Sequence, residues 1–151
     1  MQSSRSVLDS IRRIVQALRV GSRAAERELG VSGAQLFVLQ TLSKSERALS
    51  VNELAERTRT HQSSVSTVIS RLCEQGWVSR KSSAEDARRM EIALTASGTR
   101  ILRKSPPTPQ ENIIQAVEKL TAKEQEQLAA LLVRVVEGAG LEREPAEMFF
   151  E

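Results

Sequence analysis

The apolar residues of this chain leave the helical period at Gly76 and Trp77, and that change restricts its possible folds more than any other feature. Before it, Val65, Val68, Ile69 and Leu72 recur at the spacing of one helix face. After it, Met90, Ile92 and Leu94 alternate with Arg89, Glu91 and Ala93, as along a strand with one wet side. The stretches 77–81 and 88–94, joined by a polar loop of about six residues, therefore predict a β-hairpin set into a mainly helical chain.

The helices around the hairpin carry start and stop signals. Val7, Leu8, Ile11, Ile14, Val15, Leu18, Ala25 and Leu29 predict one long helix ending at Gly30. Ser32 with Gln35, Ser50 with Glu53, and Thr121 with Glu124 have the spacing of capping boxes, in which two side chains satisfy two orphan amides reciprocally. They open helices through Leu36, Leu39 and Leu42, from Val51 to about Arg57, and from Thr121 to Glu137. Thr58, Arg59 and Thr60 form a short turn before the serine-rich helix, which runs to Gln75 and stops at Gly76. Thr95 caps a further helix, and Asn112 to Lys119 is expected to be another. Between these two, the run Pro106-Pro107-Thr108-Pro109 must break the helix, because proline lacks the amide donor.

Composition excludes several function classes. Cys73 and His61 are the only residues of their types, so no internal disulfide, no zinc site of those ligands and no cofactor are expected. A Ser-His or Cys-His catalytic pair would have to use His61, and no glycine-rich phosphate loop is present, so an enzyme is the weak reading. No apolar run approaches the ~20 residues of a membrane span, and the polar start does not read as a secretory signal. A cytoplasmic protein is expected. Net charge is +3, unevenly spread: residues 1–48 carry eight Lys/Arg against four Asp/Glu, residues 49–109 ten against six, and residues 110–151 four against nine. A polyanion partner suits the basic part, although a charge bias is usually a solvated surface.

A short capped helix, a tight turn and a second helix with small polar residues on its open face predict a helix-turn-helix. Ala55 marks a close helix crossing, with Val65 and Val68 beneath the second helix, and Arg59 occupies the turn position where glycine is common. Six of the thirteen side chains from Thr60 to Leu72 are hydroxyls. A merely solvated face would favour better helix formers, whereas hydroxyls let a helix approach phosphates and base edges without a carboxylate's repulsion. No acidic residue occurs from Arg57 to Cys73. Gln62, Ser63, Ser64, Ser66 and Thr67 are thus expected in the major groove of double-stranded DNA, with Arg71 and Arg80 on its backbone. Arg88 and Arg89 form the contact at the hairpin tip, where arginine suits a narrow minor groove. Asp86 is expected to hold Arg88 by a charge-assisted bond; the bland reading is a surface pair of little worth.

Taken together in order, Arg71, Leu72, Gly76, Trp77 and Val78, then Asp86 and Arg88, then Leu94, Thr95 and Gly98 resemble the winged helix-turn-helix of the MarR family of bacterial transcription regulators. The detailed match covers residues 32–102. The resemblance implies a mainly α fold with a two- to three-stranded wing, and a DNA-reading lobe at 32–102 between dimerisation helices at 1–31 and 103–151, all in one compact protomer. It also implies a homodimer on a pseudo-palindromic operator, and a repressor released by a small aromatic or phenolic effector bound between lobe and dimer region. The proline run departs from the long unbroken helix usual after the wing.

Alternatives stay open on the residues alone: a winged-helix protein-interaction module that never touches DNA, or a redox-responsive regulator using Cys73, for which a core position beside Leu72 is the favoured role. His61 could touch a phosphate or simply be exposed. Met148, Phe149 and Phe150 are expected either to fray or to pack on a partner subunit.

Overall fold

The computed structural model describes residues 2–142 and 146–149. Ten elements follow in order among them: α1 (Gln2–Leu29), α2 (Gly33–Ser43), β1 (Leu49–Ser50), α3 (Val51–Thr58), α4 (Gln62–Glu74), β2 (Val78–Ser82), β3 (Met90–Leu94), α5 (Ala96–Leu102), α6 (Pro109–Glu118) and α7 (Ala122–Gly138). The strands form one antiparallel sheet in the order β1-β3-β2, with Leu49 opposite Ile92 and Arg80 opposite Ile92 on the other side. This is a winged helix: α2, α3 and α4 pack together, and the hairpin extends from them. None of the helices described is long and apolar enough to cross a membrane.

All three expected capping boxes form, each with the serine or threonine oxygen accepting from the amide of the third helical residue and the Glu or Gln side chain reaching back to the cap amide. Gly30 and Gly76 take positive φ and close α1 and α4. The core lies inside the lobe: Leu39, Leu49, Leu54, Val65, Val68, Ile69, Leu72 and Ile92 are all fully enclosed. Their positions on α4 are the apolar face the spacing indicates, and Ala55 is buried at the crossing of α3 and α4. Burial of each large aliphatic side chain contributes about 1.5–3 kcal/mol.

The break after the wing has a defined shape. The hydroxyl of Thr95 accepts from the Gly98 amide at 3.1 Å and donates to the Gly76 carbonyl at 2.7 Å, pinning the start of α5 to the end of α4. A Cβ on Gly98 would lie 2.1 Å from the Trp77 carbonyl oxygen, so only glycine fits there. Past α5 the proline run is held by Gln40, whose amide donates to the Pro106 carbonyl at 2.8 Å. Pro109 starts α6, three residues earlier than the periodicity indicates, because proline at a first helical position loses no bond. It abuts Gly21 of α1, where a Cβ would lie 2.8 Å from its ring.

Three local expectations are revised. Thr58 belongs to α3, buried with its hydroxyl on the Leu54 carbonyl at 2.7 Å. Arg59 takes the left-handed conformation itself, at φ 54° and ψ 41°, so the turn is as tight as a glycine would make it. Met90, on the core side of the alternation, is exposed because that end of β3 projects beyond the lobe.

Candidate nucleic-acid interface

The face of α4 opposite Val65, Val68 and Leu72 carries Gln62, Ser63, Thr67, Ser70 and Arg71 exposed, with Ser66 half-buried. His61 occupies the cap position but makes no side-chain capping bond. The first amides of α4 therefore keep donors that an anion could take, favoured by the helix dipole. Thr67 and Ser70 donate their hydroxyl hydrogens to the Ser63 and Ser66 carbonyls at 3.2 and 3.0 Å, which leaves oxygen lone pairs facing outward. One is taken by Arg80 of β2, whose guanidinium donates to Ser70 Oγ at 2.9 Å and so fastens the sheet to the helix.

The wing loop is built on Asp86. Its carboxylate accepts from the backbone amide of Arg88 at 2.9 Å, its carbonyl from the Arg89 amide at 3.0 Å, and the Ser83 amide donates to the Arg89 carbonyl at 2.8 Å. The aspartate thus orders the turn through the main chain and not by gripping the guanidinium, as the spacing had suggested. An Asx-type turn of this kind forms from residues two apart, whereas the long arginine side chain does not fold back as easily. Arg88 is left exposed at the tip, with no ion pair among the described residues.

Two expected contacts are placed elsewhere. Ser64 is only 4% exposed, and its hydroxyl donates to the Ala146 carbonyl at 3.2 Å, on the back of α4. Its position, one residue before Val65, turns it toward the core flank and away from the open face. Arg89 stays exposed but is tied back toward α3, with Nη2 2.8 Å from Glu53 Oε2 and 3.4 Å from Ser50 Oγ. Arg47 grips the other carboxylate oxygen of Glu53 at 2.6 Å. The bond from Arg47, then the Ser50 amide and Arg89, hold the Glu53 carboxyl far below the ordinary carboxylate range against the opposing effect of burial. One capping glutamate therefore binds the first helix of the helix-turn-helix to the wing.

The arginine ties between β1, α3 and the wing have no signal in local spacing, since Arg89 lies 36 positions from Glu53. At the lobe's other end, Lys44 pairs with Glu111, and Arg59 with Glu118 at 2.9 Å, joining α2 and the turn to α6. Cys73 is half-buried and packs on the core.

Helix, left-handed turn, hydroxyl-faced helix and a wing with a free arginine define the class: a winged helix-turn-helix protein. Residues 29–89 match the family model described as MarR family. The transcriptional repressor MdtR of Bacillus subtilis (strain 168) is 32% identical over 102 residues, a match that covers 65% of each chain. Among solved structures, Sco3205 of Streptomyces coelicolor, a MarR family transcriptional regulator in complex with DNA, is 28% identical with a TM-score of 0.61, covering 99% of this chain and 92% of that one. The S. aureus MepR–DNA complex shares the fold at 21% identity and a TM-score of 0.59, over 89% and 96% of the two chains. The chain is thus similar to MarR family transcription regulators, in sequence over residues 29–89 and in fold along most of its length.

Proposed function

We propose that this protein is a homodimeric, sequence-specific DNA-binding repressor, released from a pseudo-palindromic operator by a small aromatic or phenolic ligand. The observation that carries the reading is the pairing, on one lobe, of α4's open face with an arginine tip that no carboxylate among the described residues neutralises. Gln62, Ser63, Ser66 and Thr67 would meet base edges in the major groove, Arg71 and Arg80 the phosphates, and Arg88 the minor groove. MdtR being a repressor and Sco3205 being solved with DNA support the partner and the direction of control.

Dimerisation is argued from α7. None of its 17 residues is buried, and Leu128, Leu131, Leu132, Val133, Val135 and Val136 stand in water. A lone helix of that length is marginal, so this surface calls for a second apolar face. Val7, Leu8, Ile14 and Val15 leave α1 equally open, and a two-fold pair of lobes fits half-sites one helical turn apart. On this reading residues 1–31 and 103–151 form the dimerisation region and residues 32–102 the DNA-reading lobe. A protein with this role works in the cytoplasm, beside the chromosome.

The effector would enter a cavity of about 530 Å³ between α2, α6 and the turn, lined by Phe37, Ile113, Ile114 and Val117 among others. That volume suits a small organic molecule. The reading is tested by selecting duplexes from fragmented genomic DNA of the source and titrating one in band shifts. Affinity should fall roughly a hundredfold or more between about 50 and about 200 mM salt as counterions are displaced. Absence of any bound duplex at low salt would leave the protein-interaction module instead.

A further inference from the structure

Residues 146–149 lie against the lobe. Among them, Met148 is 4% exposed and belongs to the same core cluster as Val65, Val68 and Leu72. Phe150 lies outside the described residues. Two hydrogen bonds fix this segment's backbone, one from Ser64 Oγ to the Ala146 carbonyl at 3.2 Å and one from Gln110 Nε2 to the Phe149 carbonyl at 3.1 Å. Ser64 sits in the first turn of α4, and Gln110 in the first turn of α6. Met148 and Phe149 both line the 530 Å³ cavity, together with Gln110.

The ties are unequal in strength. Met148 is an apolar anchor, but Phe149, the larger side chain, remains 58% exposed at the cavity wall. Gln110 is buried and uses only its amide hydrogens here; its Oε1 has no partner. A buried carbonyl oxygen left without a donor is costly, and a ligand bringing an N–H or O–H to it would recover that cost. An apolar body with one such donor thus has an apolar wall and a polar anchor in the same cavity. Met148 and Phe149 are part of that wall, and a ligand that engages Gln110 draws on the same amide whose Nε2 holds the Phe149 carbonyl.

We propose that residues 146–149 form a displaceable latch: an apolar ligand with a hydrogen-bond donor, entering beside Met148 and Phe149, dislodges the segment and so removes the partner of Ser64 on α4. This rests on the cavity being the effector site and adds how its occupancy reaches the helix. Without the segment, the Ser64 hydroxyl loses its acceptor at residue 146, and the core cluster that contains Val65 loses Met148. Coupling of this kind is reciprocal: whatever the ligand does to the tail, loss of the tail does to the ligand's affinity.

The test uses the full chain in its native assembly, a version ending at residue 145, and the Met148→Ala and Ser64→Ala variants. The probe is N-phenyl-1-naphthylamine, an apolar fluorophore with one N–H. Removal of the tail, or Met148→Ala, is expected to tighten probe binding roughly tenfold, because the closed fraction no longer has to be opened. Hydrogen exchange at the amides of residues 65–67 should quicken on adding probe to the full chain, and in the shortened chain without probe. Ser64→Ala should quicken exchange there and tighten probe binding by a smaller factor than loss of the segment, because it removes one of the two bonds that hold it. Circular dichroism checks the fold of each variant, and if the shortened chain fails to fold, the probe and Ser64→Ala arms on the full-length protein still decide. Unaltered exchange at residues 65–67 when probe saturates the full chain overturns the proposal, as does equal probe affinity with and without the tail. Neither readout uses DNA, so a latch that responds in a protein that binds no duplex would sink the proposed function and leave this inference standing.

Discussion

Arg88 and Arg89 are neighbours of the same type with opposite surroundings, and a pair of substitutions should separate their roles. Arg88→Ala removes an exposed side chain without an ion pair, so melting should not change while operator affinity falls by about 1–3 kcal/mol in a band-shift titration. Arg89→Ala breaks the bond to Glu53 and should lower thermal stability as well as affinity, because the wing loses its brace to α3. Glu53 gives a prediction in pH. Its pKa is depressed from 4.5 in the folded chain, so its contribution to stability is complete above the unfolded value and is lost as pH falls through the folded one. Glu53→Gln should therefore cost about 1–2 kcal/mol at neutral pH and make the decline of stability below about pH 4.5 shallower. Denaturant titrations of both proteins across that range measure it, and parallel declines would deny the brace.

At the scale of elements, the Thr95–Gly98 turn is the joint between wing and C-terminal helices. Gly98→Ala forces a Cβ into the Trp77 carbonyl, a backbone atom that cannot swing away, and should destabilise by about 1–3 kcal/mol or more in chemical denaturation. Arg59→Gly should act in the other direction. It relieves about 1–2 kcal/mol of left-handed strain and gives up an exposed pair with Glu118 that is worth little, so a small net rise in melting temperature is expected. Elements of this kind were legible where their cause is local: a cap three residues from its partner, a glycine after a helix, an alternation of apolar and polar side chains. Asp86 meets Arg88 as its spacing suggests, but at the backbone amide, while the intramolecular partners of Arg89 and Ser64 have no signal in the sequence. Their partners depend on which way a side chain leaves its element and on what the distant chain brings there, Glu53 in one case and Ala146 in another. The two-residue strand β1 is too short to carry a period, and is a strand only because β3 lies beside it.

For the whole molecule, the exposed stripe of α7 is the feature with the largest consequence. Leu131 and Leu132 are 57% and 45% exposed, so replacing both with glutamate removes no internal packing of the protomer. On the proposed assembly the doubly substituted chain should sediment as a folded monomer and lose most of its operator affinity together, since each lobe would then bind one half-site alone. A doubly substituted chain that still sediments as a dimer would place the pairing surface elsewhere. If α7 does pair, the amount of protein made becomes part of the control. While free protomers outnumber pairs, the paired species grows as the square of the total, so halving synthesis would cut it about fourfold. Dilution at cell division alone would then open the promoter far more sharply than the loss of protein itself suggests.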